Sequence, residues 1–162
     1  MSKYTPERQA VIARNPSKVY ESESPTLADM RAMYGGRWVN FWLENQLQNL
    51  NEYVGCTKKM DVLQIEDTAR VIIADSYFLK LSEVMLFLAR LKAGRYGTFY
   101  GTVDPMTITT SLQTFKSERI QELSKIEDRK RDEARQAEDR SGTMSYLEWL
   151  AYKKQQSFVH GS

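Results

Sequence analysis

One cysteine, one histidine and a net charge of only +2 in 162 residues remove several kinds of function at the outset. Cys56, standing alone, excludes an intrachain disulfide framework and a cysteine-based zinc site. Its expected role is that of a small buried thiol in a reducing compartment. His160 falls in a tail expected to be mobile, which disfavours a histidine general base and every histidine-based metal motif. The weak net charge neither requires nor excludes nucleic acid. Long apolar runs are also missing. The densest, Val84 to Ala89, lies between Glu83 and Arg90 and is too short to cross a bilayer. The first residues carry Glu7 and Arg8 in place of a signal-peptide apolar core, so a cytoplasmic protein is expected. There is no phosphate-loop sequence. Carboxylates are numerous, but they sit at salt-bridge spacing. No catalytic residue, metal ligand or cofactor is assigned, and a non-enzymatic protein is expected.

What is present is helix. The chain is 41% apolar and 27% charged, enough for a core of modest size. The pattern predicts an all-α fold of about five helices. It divides into a flexible N-terminal arm (1–23), a helical core domain (24–126), and a charged helix with a C-terminal docking helix (127–160). In the arm, Thr5-Pro6-Glu7 opens a short helix that Asn15-Pro16 ends. Ser24-Pro25 opens the folded part, and Gly35-Gly36 closes its first helix. The next helix, from about Arg37 to Tyr53, puts Val39, Leu43, Leu47, Leu50 and Val54 on one face. Asp61, with Gln64 three residues on, caps a third helix whose inner stripe is Val62, Ile65, Ala69, Ile72 and Ile73. Ser82 opens a fourth helix. Val84 to Leu91 are apolar nearly all round, the mark of a central helix packed on several sides. Asp104-Pro105 caps a long fifth helix with Ile108, Leu112, Phe115, Leu123 and Ile126 as its stripe. The expected core includes Trp42, Leu47, Ile65, Ile72, Leu86, Phe87, Leu91, Leu112 and Phe115.

After Ile126 the apolar stripe stops. From Lys116 to Arg140 eight basic residues balance eight acidic ones. Pairs such as Glu118–Glu122 with Lys125, and Glu127 with Arg131, support exposed helix by a few tenths of a kcal/mol each, roughly. Arg129-Lys130-Arg131 looks like a basic patch until Asp128, Asp132 and Glu133 are counted; a solvated stalk is the better reading. Ser141-Gly142 is expected to break this stalk, with Ser145 and Glu148 as a capping box for a last helix. At about 1.5 Å per residue the stalk would carry that helix roughly 20 Å from the core. Tyr146, Leu147, Trp149 and Leu150 are therefore the candidate partner-binding face; docking back within the chain is the alternative.

The stretch Lys92-Ala-Gly-Arg-Tyr-Gly-Thr-Phe-Tyr-Gly-Thr-Val-Asp-Pro105 is the most unusual part of the chain. It holds three of the eight glycines together with Tyr96, Phe99 and Tyr100. A short hairpin or ordered loop at Arg95–Val103 is expected. Between Ser76 and Lys116 five basic residues face two acidic ones. Arg90, Lys92, Arg95, Tyr96 and Tyr100 are thus candidates to meet phosphates and stack on bases. The opposing reading has the aromatics closing the core and the cations capping helix ends, as Lys92 would in its helix's last turn. A recognition helix needs a polar face, which Val84–Leu91 does not offer. Gly94-Arg95-Tyr96-Gly97 resembles a KH loop, but its flanking elements do not.

The run from Leu81 to Arg119 carries Leu-Ser-Glu-Val-Met-Leu-Phe, Lys-Ala-Gly-Arg-Tyr-Gly, Phe-Tyr-Gly, Val-Asp-Pro and Glu118-Arg119. It resembles a family of small helical proteins of no established activity, encoded by phages and mobile elements of gut Bacteroides-type bacteria. The resemblance, over about Thr26 to Arg119, implies a protein of a mobile element. By analogy it suggests a replication accessory such as a helicase-loading adaptor. The resulting expectation is a non-enzymatic adaptor of phage or mobile-element DNA metabolism, acting by protein–protein contact. Direct nucleic-acid binding through the connector is the alternative, membrane is not expected, and a homo-oligomer stays open.

Overall fold

The computed structural model describes residues 2–159, without the side chains of residues 142–145. His160 therefore lies outside the described residues. Among those residues the fold is all-α, with no strand: two 3-10 turns (Ser2–Tyr4 and Pro6–Arg8) precede seven α-helices. These are α1 (Gln9–Ile12), α2 (Pro16–Glu21), α3 (Leu27–Tyr34), α4 (Gly36–Tyr53), α5 (Val62–Ser76), α6 (Leu81–Lys92) and α7 (Pro105–Val159). The chain divides into two compact units, Met1–Glu122 and Leu123–Ser162.

In the first unit α6 is the centre, with α1, α2 and α4 packed against it. Val84, Met85, Leu86, Phe87, Leu88 and Leu91 are all buried, as an apolar circumference requires. All nine core residues expected from the sequence are buried. The Phe87 ring meets Phe115 of α7 at 5.5 Å and Tyr96 of the connector at 5.8 Å between centroids. Each such large apolar side chain contributes roughly 1.5–3 kcal/mol by leaving water. Val62 departs from its expected stripe: it is exposed at the first turn of α5.

Helix starts follow local chemistry. Asp61 accepts from the Gln64 amide at 2.8 Å, and Gln64 Oε1 accepts from the Asp61 amide at 3.0 Å. Asp104 Oδ1 accepts from the Met106 amide at 3.0 Å. Two expected starts move. For α3 the cap is Thr26, in a reciprocal box with Asp29, and not Ser24-Pro25. For α6 it is Lys80, whose amide donates to Glu83 Oε2.

The N-terminal segment is a correction to the expected flexible arm. Asn15-Pro16 ends α1 but also opens α2, with Asn15 Oδ1 accepting from the Lys18 amide. Val19 and Tyr20 are buried. The Tyr4 carbonyl accepts from Trp42 Nε1 at 2.9 Å and from Gln46 Nε2 at 2.8 Å. Lys80 Nζ donates to the carbonyls of Tyr20 and Ser22. The segment is held by polar contacts to its backbone as well as by its few apolar side chains.

The connector is an ordered loop and not a hairpin. It pairs with the α4–α5 loop: the Lys58 amide donates to Gly101 O at 3.0 Å, and the Val103 amide donates to Lys58 O at 2.9 Å. Gly94, Gly97 and Gly101 all have φ between 70° and 105°, the left-handed region that a side chain would strain. Cys56 is half-buried, not buried, with its thiol 3.8 Å from the Phe99 carbonyl.

In the second unit the helix is unbroken. The backbone of residues 141–145 stays helical, so Ser141-Gly142 does not end one helix and Ser145 does not begin another. The Ser145 side chain of the expected capping box lies outside the described residues. Ile126 is buried; from Glu127 to Val159 every described side chain is exposed.

Candidate functional site

Beneath the connector, charges converge on one carboxylate. Glu118 of α7 accepts from Arg90 Nη1 at 3.0 Å, from Arg95 Nε at 3.3 Å and from the Tyr96 hydroxyl at 2.7 Å. Arg90 also donates to the Tyr20 hydroxyl at 3.2 Å and lies over the Phe115 ring. At the next position in sequence, Arg119 Nε donates to Glu83 Oε1 at 3.0 Å, and Glu83 is fully buried. These ion pairs are not equal. Arg90 and Glu83 are almost dry, so losing a partner would strand a buried charge. The Arg95 side chain is half exposed and its pair with Glu118 is worth little.

The two phenols of this cluster hold their protons more firmly than ordinary tyrosines. Burial pushes the Tyr20 phenol up, and the nearby Arg90 only partly offsets it. Burial and the hydrogen bond to Glu118 push the Tyr96 phenol up as well. Neither ionises near neutral pH, so neither is poised as a base. Among the described residues no three His, Cys, Asp or Glu side chains gather as metal ligands would.

The five residues proposed for nucleic-acid contact therefore separate. Arg90, Arg95 and Tyr96 are brought together, facing Glu118. Lys92 points elsewhere: its ammonium donates to Asn49 Oδ1 and sits 5.3 Å over the Tyr53 ring. Tyr100 is 90% exposed and stands apart. Reasoning from sequence missed Glu118 as the hub, because its spacing to Glu122 and Lys125 suggested a solvated helix face. Its true partner, Arg90, is 28 residues away.

The second candidate is the end of α7. Tyr146, Leu147, Trp149 and Leu150 are 38–59% exposed. At about 100° per residue they fall within an arc of about 160°. Tyr146 and Trp149 stack at 5.9 Å, and Lys153 Nζ lies 4.6 Å over the Trp149 ring. Phe158 extends the same side and is 89% exposed. Tyr152 is exposed on the opposite side. The preceding stretch behaves as a solvated helix, with exposed pairs such as Arg129–Glu133 and Arg131–Asp128 at 3.9 Å.

A family model, described as a family of unknown function (DUF6633), matches residues 59–158. The chain belongs to that family. The matched span contains α5, α6, the connector with its Glu118 hub, and the apolar end of α7 as far as Phe158. No curated protein and no solved structure matches the chain. Among the described residues no helix is long and apolar enough to cross a membrane.

Proposed function

We propose that this protein is a non-enzymatic adaptor that works by protein–protein contact through the last turns of α7. The observation that carries the reading is the exposed arc of Tyr146, Leu147, Trp149 and Leu150. Aromatic and apolar side chains gathered on one face of an otherwise polar helix form a helix-in-groove ligand. Left uncovered, such a face would invite aggregation. The family match supports the reading, because its span includes this face and does not stop at the preceding charged stretch. The setting proposed, a cytoplasmic accessory of phage or mobile-element DNA metabolism, rests on the sequence resemblance alone.

Truncation after Arg140 tests it. The shortened protein should keep its melting temperature and lose its self-association or its capture of a partner from the native host. A melting temperature lowered by many degrees with association unchanged would make the segment part of the fold.

Direct nucleic-acid binding is the second reading, and Tyr100 favours it: an aromatic ring almost wholly in solvent is a stacking platform. Against it, Arg90 and Arg95 are already engaged with Glu118, and Lys92 with Asn49 and the Tyr53 ring. Affinity for single-stranded DNA that falls steeply between two salt concentrations, and falls again in Tyr100→Ala, would favour this reading over the adaptor.

A further inference from the structure

Between the first residues, the end of α4 and the end of α6 lies a groove of about 670 Å³. That volume is in the usual range for small-molecule sites, roughly 300–1,000 Å³. Its walls are apolar and low because they are built of Pro6, Ala10, Ala13, Ala89 and Ala93. Small side chains at all those positions leave room where leucines would have filled it.

Three polar features make the groove more than a gap in packing. Lys92 lines it, partly desolvated, and burial pulls its ammonium below the ordinary lysine range. No carboxylate lies within ion-pair distance of Lys92 among the described residues. Glu7, also lining the groove, acts on Lys92 only through space and has no cation paired with it. The third feature is Gln9, also in the lining and 1% exposed. Its Nε2 donates to Gln46 Oε1 at 2.6 Å, while its Oε1 is buried with no hydrogen-bond partner. A buried acceptor without a donor costs free energy unless something supplies one.

We infer that this groove binds a small zwitterion of the amino-acid class with an apolar side chain. The ligand's carboxylate would join Asn49 Oδ1 on the ammonium of Lys92, which has no carboxylate of its own; its ammonium would face Glu7, and its side chain would lie on the alanine wall. A lone phosphate fits poorly. The groove offers a single cation, and Glu52 adds a second carboxylate to the lining. A free amino acid and a short peptide share this chemistry; they differ in the distance between their charges. The inference is independent of the partner face on α7.

The full chain is titrated calorimetrically with L-leucine, the dipeptide leucyl-leucine, N-acetyl-leucine and leucinamide. Saturable one-to-one binding of leucine or of the dipeptide is expected, and the tighter of the two names the source. N-acetylation removes the ammonium and amidation removes the carboxylate; each should weaken binding about tenfold or more, since a charged hydrogen bond is lost. Lys92→Gln should weaken it by a similar factor. Ala93→Leu should abolish binding by filling the groove without changing a charge, with circular dichroism confirming the helical content of both variants. No saturable binding of leucine or the dipeptide up to about 10 mM would overturn the inference. So would binding that Lys92→Gln leaves unchanged, or equal affinity for leucine and its two blocked forms.

Discussion

The ion pairs around α6 and those along residues 127–140 use the same side chains to opposite ends. Glu83 and Arg90 of α6 and Glu118 and Arg119 of α7 meet across two helices and are held largely out of water. Arg129–Glu133 and Arg131–Asp128 are neighbours on one helix, with each side chain more than half exposed. In the first region a charge is kept only because its partner is in place. In the second, water would replace any partner at little cost. Charge content therefore says nothing about a region's role until burial is known.

The largest effect that could break this contrast is at Glu83. Replacing it by alanine strands Arg119 and leaves the Lys80 amide without its side-chain acceptor. A loss of about 3–5 kcal/mol is expected in denaturant unfolding. A loss near that of an ordinary surface substitution would mean that solvent reaches the network. Alkaline pH gives a smaller effect. The Tyr20 and Tyr96 phenols hold their protons above the ordinary value of 10.0 in the folded state. The unfolded chain thus releases these protons first as pH rises. The stability they contribute is complete below pH 10 and declines as pH climbs toward the folded values. Tyr96→Phe should flatten that decline in a pH series of melting curves; an unchanged slope would place the phenol in water. The smallest effect is expected from Arg131→Ala, which should change stability by less than about 0.5 kcal/mol. A change of several kcal/mol would show that the 127–140 stretch is not a solvated helix.

Local signals were legible in the sequence and distant polar ones were not. The Asp61–Gln64 box and the all-round apolar surface of α6 are written in adjacent residues, and both appear where expected. The packing of residues 2–21 left no such trace. It depends on the Tyr4 carbonyl and on Lys80, which meets backbone about 60 positions away. Nor could spacing reveal Glu118, since a carboxylate on a charged helix looks the same whether it faces water or a buried arginine. The Ser141-Gly142 pair misled in the other direction. Glycine costs about 1 kcal/mol within a helix, and a long helix can carry that cost. Of the candidate partner face, the residues were readable, because Tyr146, Leu147, Trp149 and Leu150 interrupt a run of charges.

Trp42 and Trp149 give each unit its own optical reporter. Trp42 is buried, with its indole N–H bound to the Tyr4 carbonyl, so its emission should shift to the red when the first residues leave the surface of α4. Trp149 starts half exposed, with Lys153 over its ring, and a partner that covers it should shift its emission to the blue. With Trp38, the third tryptophan of the chain, changed to phenylalanine, release of the N-terminal segment and capture of a partner would move the spectrum in opposite directions within one cuvette.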